Sequence, residues 1–330
     1  MYKEHFQIGD LRLESNIFYA PLAGCSDYPY RKMGSKFRPG LMWCEMVKME
    51  PLVRYEPKTY QLLDVDHSLG TIVGAQLCGS NPAIAGQAAA IIEELGFPII
   101  DLNCGCPVDK VTKDGSGSGL LKTPQKIGEI LSNMVARVKI PVTLKIRAAW
   151  DDDDEIVTPL ITEIAEAAGA KAICIHGRTR EQGYRGNANW ETIKMAKQAA
   201  KNIVVIGNGD LFSAEAVYKM GQETGCDAFL IARGTMGRPW FVDEVRAFSK
   251  GEPFSYSHDQ KLEALLEHFE MIQAYQNDRR ALTDMRRVGP WYFSDTPGAK
   301  VVRHTIAHAT SLDQIREFLA QLSEEMVQAV

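Results

Sequence analysis

The 330-residue chain carries 37 Lys and Arg against 42 Asp and Glu, a net charge of −5, with 45% hydrophobic residues. That composition excludes a disordered or fibrous chain and a globally basic nucleic-acid coat, so a polyanionic partner requires a local basic face. Seven cysteines without paired spacing exclude a disulfide framework and a zinc ribbon, and no metal site is expected. The segment MYKEHFQIGD lacks the apolar core of a leader, and no run reaches membrane-spanning length. The expectation is a reduced, cytoplasmic protein, monomeric and without a membrane partner.

Short apolar runs alternate with longer helical stretches, the pattern of a parallel sheet with crossover helices. Strands are expected over Asn16–Ala20, Leu41–Val47, Thr71–Leu77, Ile99–Leu102, Val142–Ile146, Ala172–His176, Ile203–Gly207 and Ala228–Ala232. An Ala-rich helix is expected over Asn81–Leu95 and another over Pro124–Val138. Eight such units fit an α/β fold of the (β/α)8 TIM-barrel type, over residues 1–250. The run GEPFSYS then serves as a linker. Helical spacing follows over Gln260–Asn277, Asp284–Trp291, Pro297–Ala309 and Ser311–Val327, with Ser311 and Gln314 placed as a capping box. Residues 251–330 thus form an all-α helical bundle.

In such a barrel the active site stands at the C-terminal ends of the strands. Those ends carry the Pro21–Gly24 turn, Gln76, Asn103 with Cys106, Lys145 with Arg147, His176 with Arg178, Asn208–Asp210, and Arg233 with Gly234. Polar side chains inside apolar strands require partners, because burying them unpaired is costly. The glycine segments after strands seven and eight suit a cofactor phosphate. No GxGxxG fingerprint follows a strand, so a Rossmann dinucleotide site is not expected. After strand four, Asp109–Leu121 is rich in Gly, Ser and Lys and reads as a mobile lid beyond two thiols, Cys104 and Cys106. Cys106 is open to three roles: buried hydrophobe, nucleophile or proton donor. Gln276–Ala309 holds six basic and three acidic residues interleaved with Trp291, Tyr292 and Phe293, which suits phosphate-backbone contact. The acidic run Asp151–Asp154 reads as a solvated cap.

In order and spacing, PLAG, AQLCG, DLNCGCP, LKIR, IHGRTREQGY, IGNGD and ARGTMGRPW resemble the tRNA-dihydrouridine synthases, and among them the bacterial B-type branch. The resemblance implies an FMN barrel that uses NADPH to reduce the uracil C5=C6 bond in the D-loop of tRNA, with a helical domain holding the tRNA elbow. It makes Cys106 the acid that protonates C5, while hydride passes from flavin N5 to C6. Pro21, Leu22, Ala23, Gln76, Lys145, His176, Asn208, Gly209, Asp210, Ala232 and Arg233 match FMN-contacting positions. Asn103, Arg147 and Arg178 match uracil or nucleotide contacts, and Arg286 and Arg287 match tRNA contacts. A stacked target uracil must be flipped out to reach such a site. The chain departs from the family pattern at Leu22 (usually Met), Ala232 (Gly), Cys104 (Met), the KDGSGSGLL loop and Gly289-Pro290. Two alternatives stand beside this reading: an FMN barrel reductase of a small ring, and a non-catalytic RNA-binding barrel.

Overall fold

The computed structural model describes residues 1–294 and 299–327. Strands β1 (Phe6–Ile8) and β2 (Leu11–Leu13) form an antiparallel hairpin. The next eight, β3 (Ile17–Tyr19), β4 (Leu41–Lys48), β5 (Val73–Cys78), β6 (Ile100–Cys104), β7 (Val142–Arg147), β8 (Ala172–His176), β9 (Val204–Asn208) and β10 (Ala228–Ile231), are parallel and close into a barrel, β10 pairing with β3. They coincide with the eight apolar runs. Helices follow the successive strands: α1 (Tyr28–Ser35), then α2 (Met49–Val53) with α3 (Pro57–Gln61), α4 (Pro82–Glu94), and α5 (Asp109–Thr112) with α6 (Pro124–Val135). The set ends with α7 (Thr158–Ala167), α8 (Glu191–Ala199), α9 (Ala214–Thr224) and α10 (Phe241–Lys250). Pro82 and Pro124 occupy the first turns of α4 and α6, and Asn81 caps α4 by accepting from the Ala83 N–H at 3.0 Å.

Alternation along each strand separates two cores. Outward residues such as Ile100, Leu102, Cys104, Leu144 and Ile175 pack beneath the helices. Inward residues Phe18, Leu41, Trp43, Cys174, Ile206 and Leu230 fill the barrel, where Ile8 and Leu13 of the hairpin join them. The hairpin thus plugs one end of the barrel, and inward polar groups gather at the other. These two three-residue strands are too short to show periodicity, and the sequence reading does not contain them.

Helices α11 (His258–Tyr275), α12 (Asp278–Val288), α13 (Ala299–His308) and α14 (Leu312–Val327), with a 3₁₀ turn at Gly289–Phe293, build a third core around Leu265, Phe269, Met285, Phe293 and Ile306. Met33 and Trp240 enter it from the barrel side. The expected linker is packed, with Tyr256 stacked on Trp240 at 4.1 Å. Three expectations shift. Helix α12 starts at Asp278 and not at Asp284, because Asn277 accepts from the Arg280 N–H at 3.0 Å and caps it. Ser311 does accept from the Gln314 N–H, but the Gln314 side chain turns to the Thr310 N–H; the complete capping box is Ser257 with Gln260. Pro297, the expected start of the third helix, lies outside the described residues.

The loop after β6 also differs from the expectation. Residues Gly117–Lys122 form a 3₁₀ turn in which Gly117, Ser118, Leu120 and Leu121 are buried. Ser118 donates to the Cys106 carbonyl from both N–H (3.1 Å) and Oγ (2.9 Å). A Cβ on Gly117, which has φ +58°, would lie 2.9 Å from that same carbonyl oxygen. Here glycine serves close packing under Cys106. The exposed part of the loop is confined to residues around Val108–Asp114.

Candidate active site

A cavity of about 440 Å³ opens at the C-terminal ends of the barrel strands, a size typical of small-molecule sites. Its walls include Pro21, Leu22, Ala23, Gln76, Asn103, Cys106, Lys145, Arg147, His176, Asn208, Gly209, Asp210, Ala232 and Arg233. Strand parity explains the selection. Asn103 and Lys145 point inward as neighbours in register across β6 and β7, whereas Cys104 between Asn103 and Gly105 points outward and is fully buried. Burial pushes the Cys104 thiol well above the ordinary cysteine range. Cys106, two residues past the strand, reaches the cavity.

Lys145 makes no hydrogen bond or ion pair with any described residue, although its surroundings lower the ammonium pKa, first through burial. His176 is buried; desolvation and then the charges of Lys145, Arg147, Arg178 and Arg233 hold its pKa well below 6.5. A guanidinium only donates, so the 3.4 Å contact from Arg178 Nη1 requires His176 Nε2 to accept and leaves the proton on Nδ1. His176 is therefore assigned as a neutral imidazole with its proton on Nδ1.

Two arginines have structural duties. Arg147 donates to the carbonyls of Gly105 (2.9 Å), Thr179 (2.8 Å) and Gly183 (3.0 Å), tying the Cys106 segment to the β8–α8 loop. Arg178 is buried in a bidentate pair with Asp210 (2.9 and 2.8 Å) and donates to the Gly186 carbonyl. It is not among the cavity-lining residues. Burial alone would raise the Asp210 pKa, but Arg178, the Ala188 N–H and Arg233 hold it below the usual range. Asp210 adopts φ +56°, and a Cβ on Gly209 would lie 2.7 Å from Ala188 Cβ, so only glycine fits there.

Arg287 of α12 reaches the cavity rim. Its Nη1 lies 3.0 Å from where a Cβ on Gly24 would stand, and its Nη2 donates to Asp284 at 2.9 Å. Arg286 is exposed. Sequence reasoning missed several wall residues: Cys25, Met46, Tyr184 and Phe212. Tyr184 and Phe212 flank the Arg233 guanidinium at 4.5 and 5.0 Å. Met46 had no sequence signal, because a β-bulge between Trp43 and Met46 changes the parity of β4. Among the described residues no cluster of His, Cys, Asp or Glu could hold a metal ion, and no helix is long and apolar enough to cross a membrane.

The model of the family described as Dihydrouridine synthase (Dus) matches residues 18–329. The chain belongs to the dihydrouridine synthase family. It is 34% identical over 321 residues to "tRNA-dihydrouridine synthase B" of Pseudomonas aeruginosa, covering 96% of each chain. It is 35% identical over 326 residues to "Probable tRNA-dihydrouridine synthase 1" of Synechocystis, covering 97% of this chain and 90% of the relative. Family membership makes this chain an oxidoreductase. Among solved structures, morphinone reductase in complex with tetrahydroNAD matches with TM-score 0.55 at 14% identity, covering 78% of this chain and 93% of that one. The old yellow enzyme homologue from Zymomonas mobilis matches with TM-score 0.53 at 12% identity, covering 78% and 95%. These likenesses confirm the barrel fold.

Proposed function

We propose that the protein is a tRNA-dihydrouridine synthase that holds FMN in the barrel cavity and reduces a D-loop uridine at the expense of NADPH. The observation that carries this reading is the pairing, in one cavity of a family member, of the Lys145 ammonium, free of partners among the described residues, with the Cys106 thiol. The cavity fits the cofactor chemically. Lys145 and the Nδ1–H of His176 offer positive charge and a donor suited to a pyrimidine edge, and Gly209, Ala232 and Arg233 line the end suited to phosphate. Bound flavin supplies hydride to uracil C6. Cys106 gives its proton to C5, and Asn103, held in place by Gln76, orients the base. Arg147 acts on the nucleotide indirectly, by fixing the Cys106 segment, and Arg178 acts through Asp210.

Residues 1–250 form the catalytic part and 251–330 the part that holds the tRNA elbow. Arg287 beside Gly24 and the exposed Arg286 supply phosphate contacts next to the rim. The enzyme works in the cytoplasm as a monomer.

The test is direct. Purified protein is expected to carry FMN, oxidise NADPH and form dihydrouridine in tRNA from cells lacking the gene. Cys106→Ala is expected to keep flavin and NADPH oxidation and to lose nearly all product. A colourless protein, or full product from the variant, overturns the reading.

A further inference from the structure

Asp101 is a carboxylate inside the barrel, 3% exposed, with no part in the proposed reaction. It stands at one end of an unbroken line of hydrogen bonds. Asp101 Oδ1 accepts from Thr143 Oγ1 at 2.7 Å, and Oδ2 accepts from Gln76 Nε2 at 2.7 Å. Gln76 Oε1 accepts from Asn103 Nδ2 at 2.8 Å. Asn103 Oδ1 accepts from the N–H groups of Gly105 (3.2 Å) and Cys106 (2.9 Å).

An amide can be turned end for end, so neither Gln76 nor Asn103 fixes its own orientation. The ends of the line decide. Above its pKa of about 6 the Asp101 carboxylate is ionised and only accepts, which compels Gln76 to present nitrogen to Asp101 and oxygen to Asn103. Asn103 must then present nitrogen to Gln76 and oxygen to the backbone, and backbone N–H groups only donate. Both ends demand the same direction. We propose that Asp101 is a positioning residue for Cys106, setting the direction of the Gln76 and Asn103 amides so that Asn103 holds the Cys106 backbone and aims the thiol into the cavity. This role rests on the reading of Cys106 as the proton donor. Burial of the carboxylate pushes its pKa up to about 6, against the hydrogen bonds of Thr143 and Gln76 and the charge of Lys145. A group held at such a disadvantage inside a barrel calls for a function.

The line makes an unusual prediction, because its polarity can be rebuilt from the other end. In Asp101→Asn, the new oxygen still accepts from Gln76 while the new NH₂ faces Thr143 Oγ1, whose hydroxyl turns to the Ile100 carbonyl at 3.4 Å. This variant keeps the direction. Asn103→Asp places an acceptor-only group against Gln76 Oε1, forces Gln76 to turn, and sets its oxygen against Asp101, which at about pH 8 must either oppose it as a carboxylate or take up a proton at a cost in stability. Combining the two changes satisfies every group again. The amide introduced at position 101 donates to the turned Gln76, and Gln76 donates to the carboxylate introduced at position 103. That carboxylate still accepts from the N–H groups of Gly105 and Cys106.

The experiment uses the full-length flavin-loaded protein and its four forms. It measures peptide-resolved alkylation of Cys106 by iodoacetamide, melting temperature, and kcat and KM for tRNA. Asp101→Asn is expected to stay within about threefold of wild type in Cys106 alkylation. Asn103→Asp is expected to change the alkylation rate by more than about threefold and lower kcat roughly tenfold or more. Adding Asp101→Asn is expected to restore the alkylation rate and the melting temperature. If Asn103→Asp alone does not fold, recovery of a folded, flavin-binding double variant carries the same meaning. A double variant no better than Asn103→Asp overturns the proposal. If Cys106→Ala made full product, the proton-donor reading would fall separately, since alkylation and melting do not depend on it.

Discussion

Lys145 faces an electrostatic problem that the protein alone leaves unsolved. Its ammonium lines the cavity, lies near the charge of Arg147 and makes no bond to a described residue; burial lowers its pKa, against Cys174, Asp101 and Cys106, which raise it. Such a cation is stabilised when an anionic or strongly accepting group enters the cavity. Lys145→Met keeps the length of the side chain and removes the charge. It is expected to weaken FMN retention about tenfold, read as flavin fluorescence released on dilution, with the melting temperature of the flavin-free protein unchanged or raised. Unchanged retention and unchanged flavin reduction by NADPH would reject its role. Cys104, by contrast, is fully buried in the outer core, so its replacement by alanine bears on packing and not on chemistry.

Elements decide which residues reach the cavity and which do not. Parity along β6 sends Asn103 inward and Cys104 outward; the expected strand stops at Leu102, so the sequence shows no parity at Cys104, and the resemblance alone singles out Cys106. The bulge in β4 was not legible, because an extra residue in a strand leaves no compositional trace; it brings Met46 into register with Gln76 and leaves Glu45 near Gly24 and Arg287. Arg178 shows a second limit. Its place at a strand end marks it as a site residue and the resemblance implies a substrate contact, but only the fold reveals that the β9 end returns Asp210 to pair with it. The seam between barrel and bundle likewise depends on a glycine that sequence alone does not distinguish from other turn residues. Gly237 has φ +67°, and a Cβ there would overlap the backbone of Trp291 and Tyr292. Gly237→Ala is expected to destabilise the protein by more than about 1 kcal/mol. Faster limited proteolysis between residues 251 and 257, together with a lower melting temperature, would show that the seam has opened; wild-type behaviour in both would show that it tolerates the methyl group.

At the scale of the whole molecule, a group that responds to pH stands beside the seam between barrel and bundle. His268 of α11 is fully surrounded by protein, its Nδ1 lies 2.9 Å from Tyr292 Oη, and its Nε2 has no partner. Desolvation lowers its pKa from 6.5 to about 4. The unfolded chain therefore binds a proton on this histidine between those values and the folded chain does not, so stability falls as pH drops from about 6.5 and levels off below about 4. The full shift corresponds to about 3 kcal/mol at 1.36 kcal/mol per pH unit. Asp101 acts in the opposite sense. Its folded pKa of about 6 lies above the ordinary 3.8, so the folded chain binds the extra proton and stability falls as pH rises through that interval. The two effects offset one another in the wild-type curve, which makes the total an uninformative measurement. The difference between wild type and His268→Gln removes the terms they share. Wild type is expected to lose stability relative to the variant by about 3 kcal/mol as pH falls from 6.5 to 4, measured by urea unfolding at several pH values. A difference independent of pH would mean that His268 titrates in the folded protein as it does in the unfolded chain, and that its surroundings at the seam admit water.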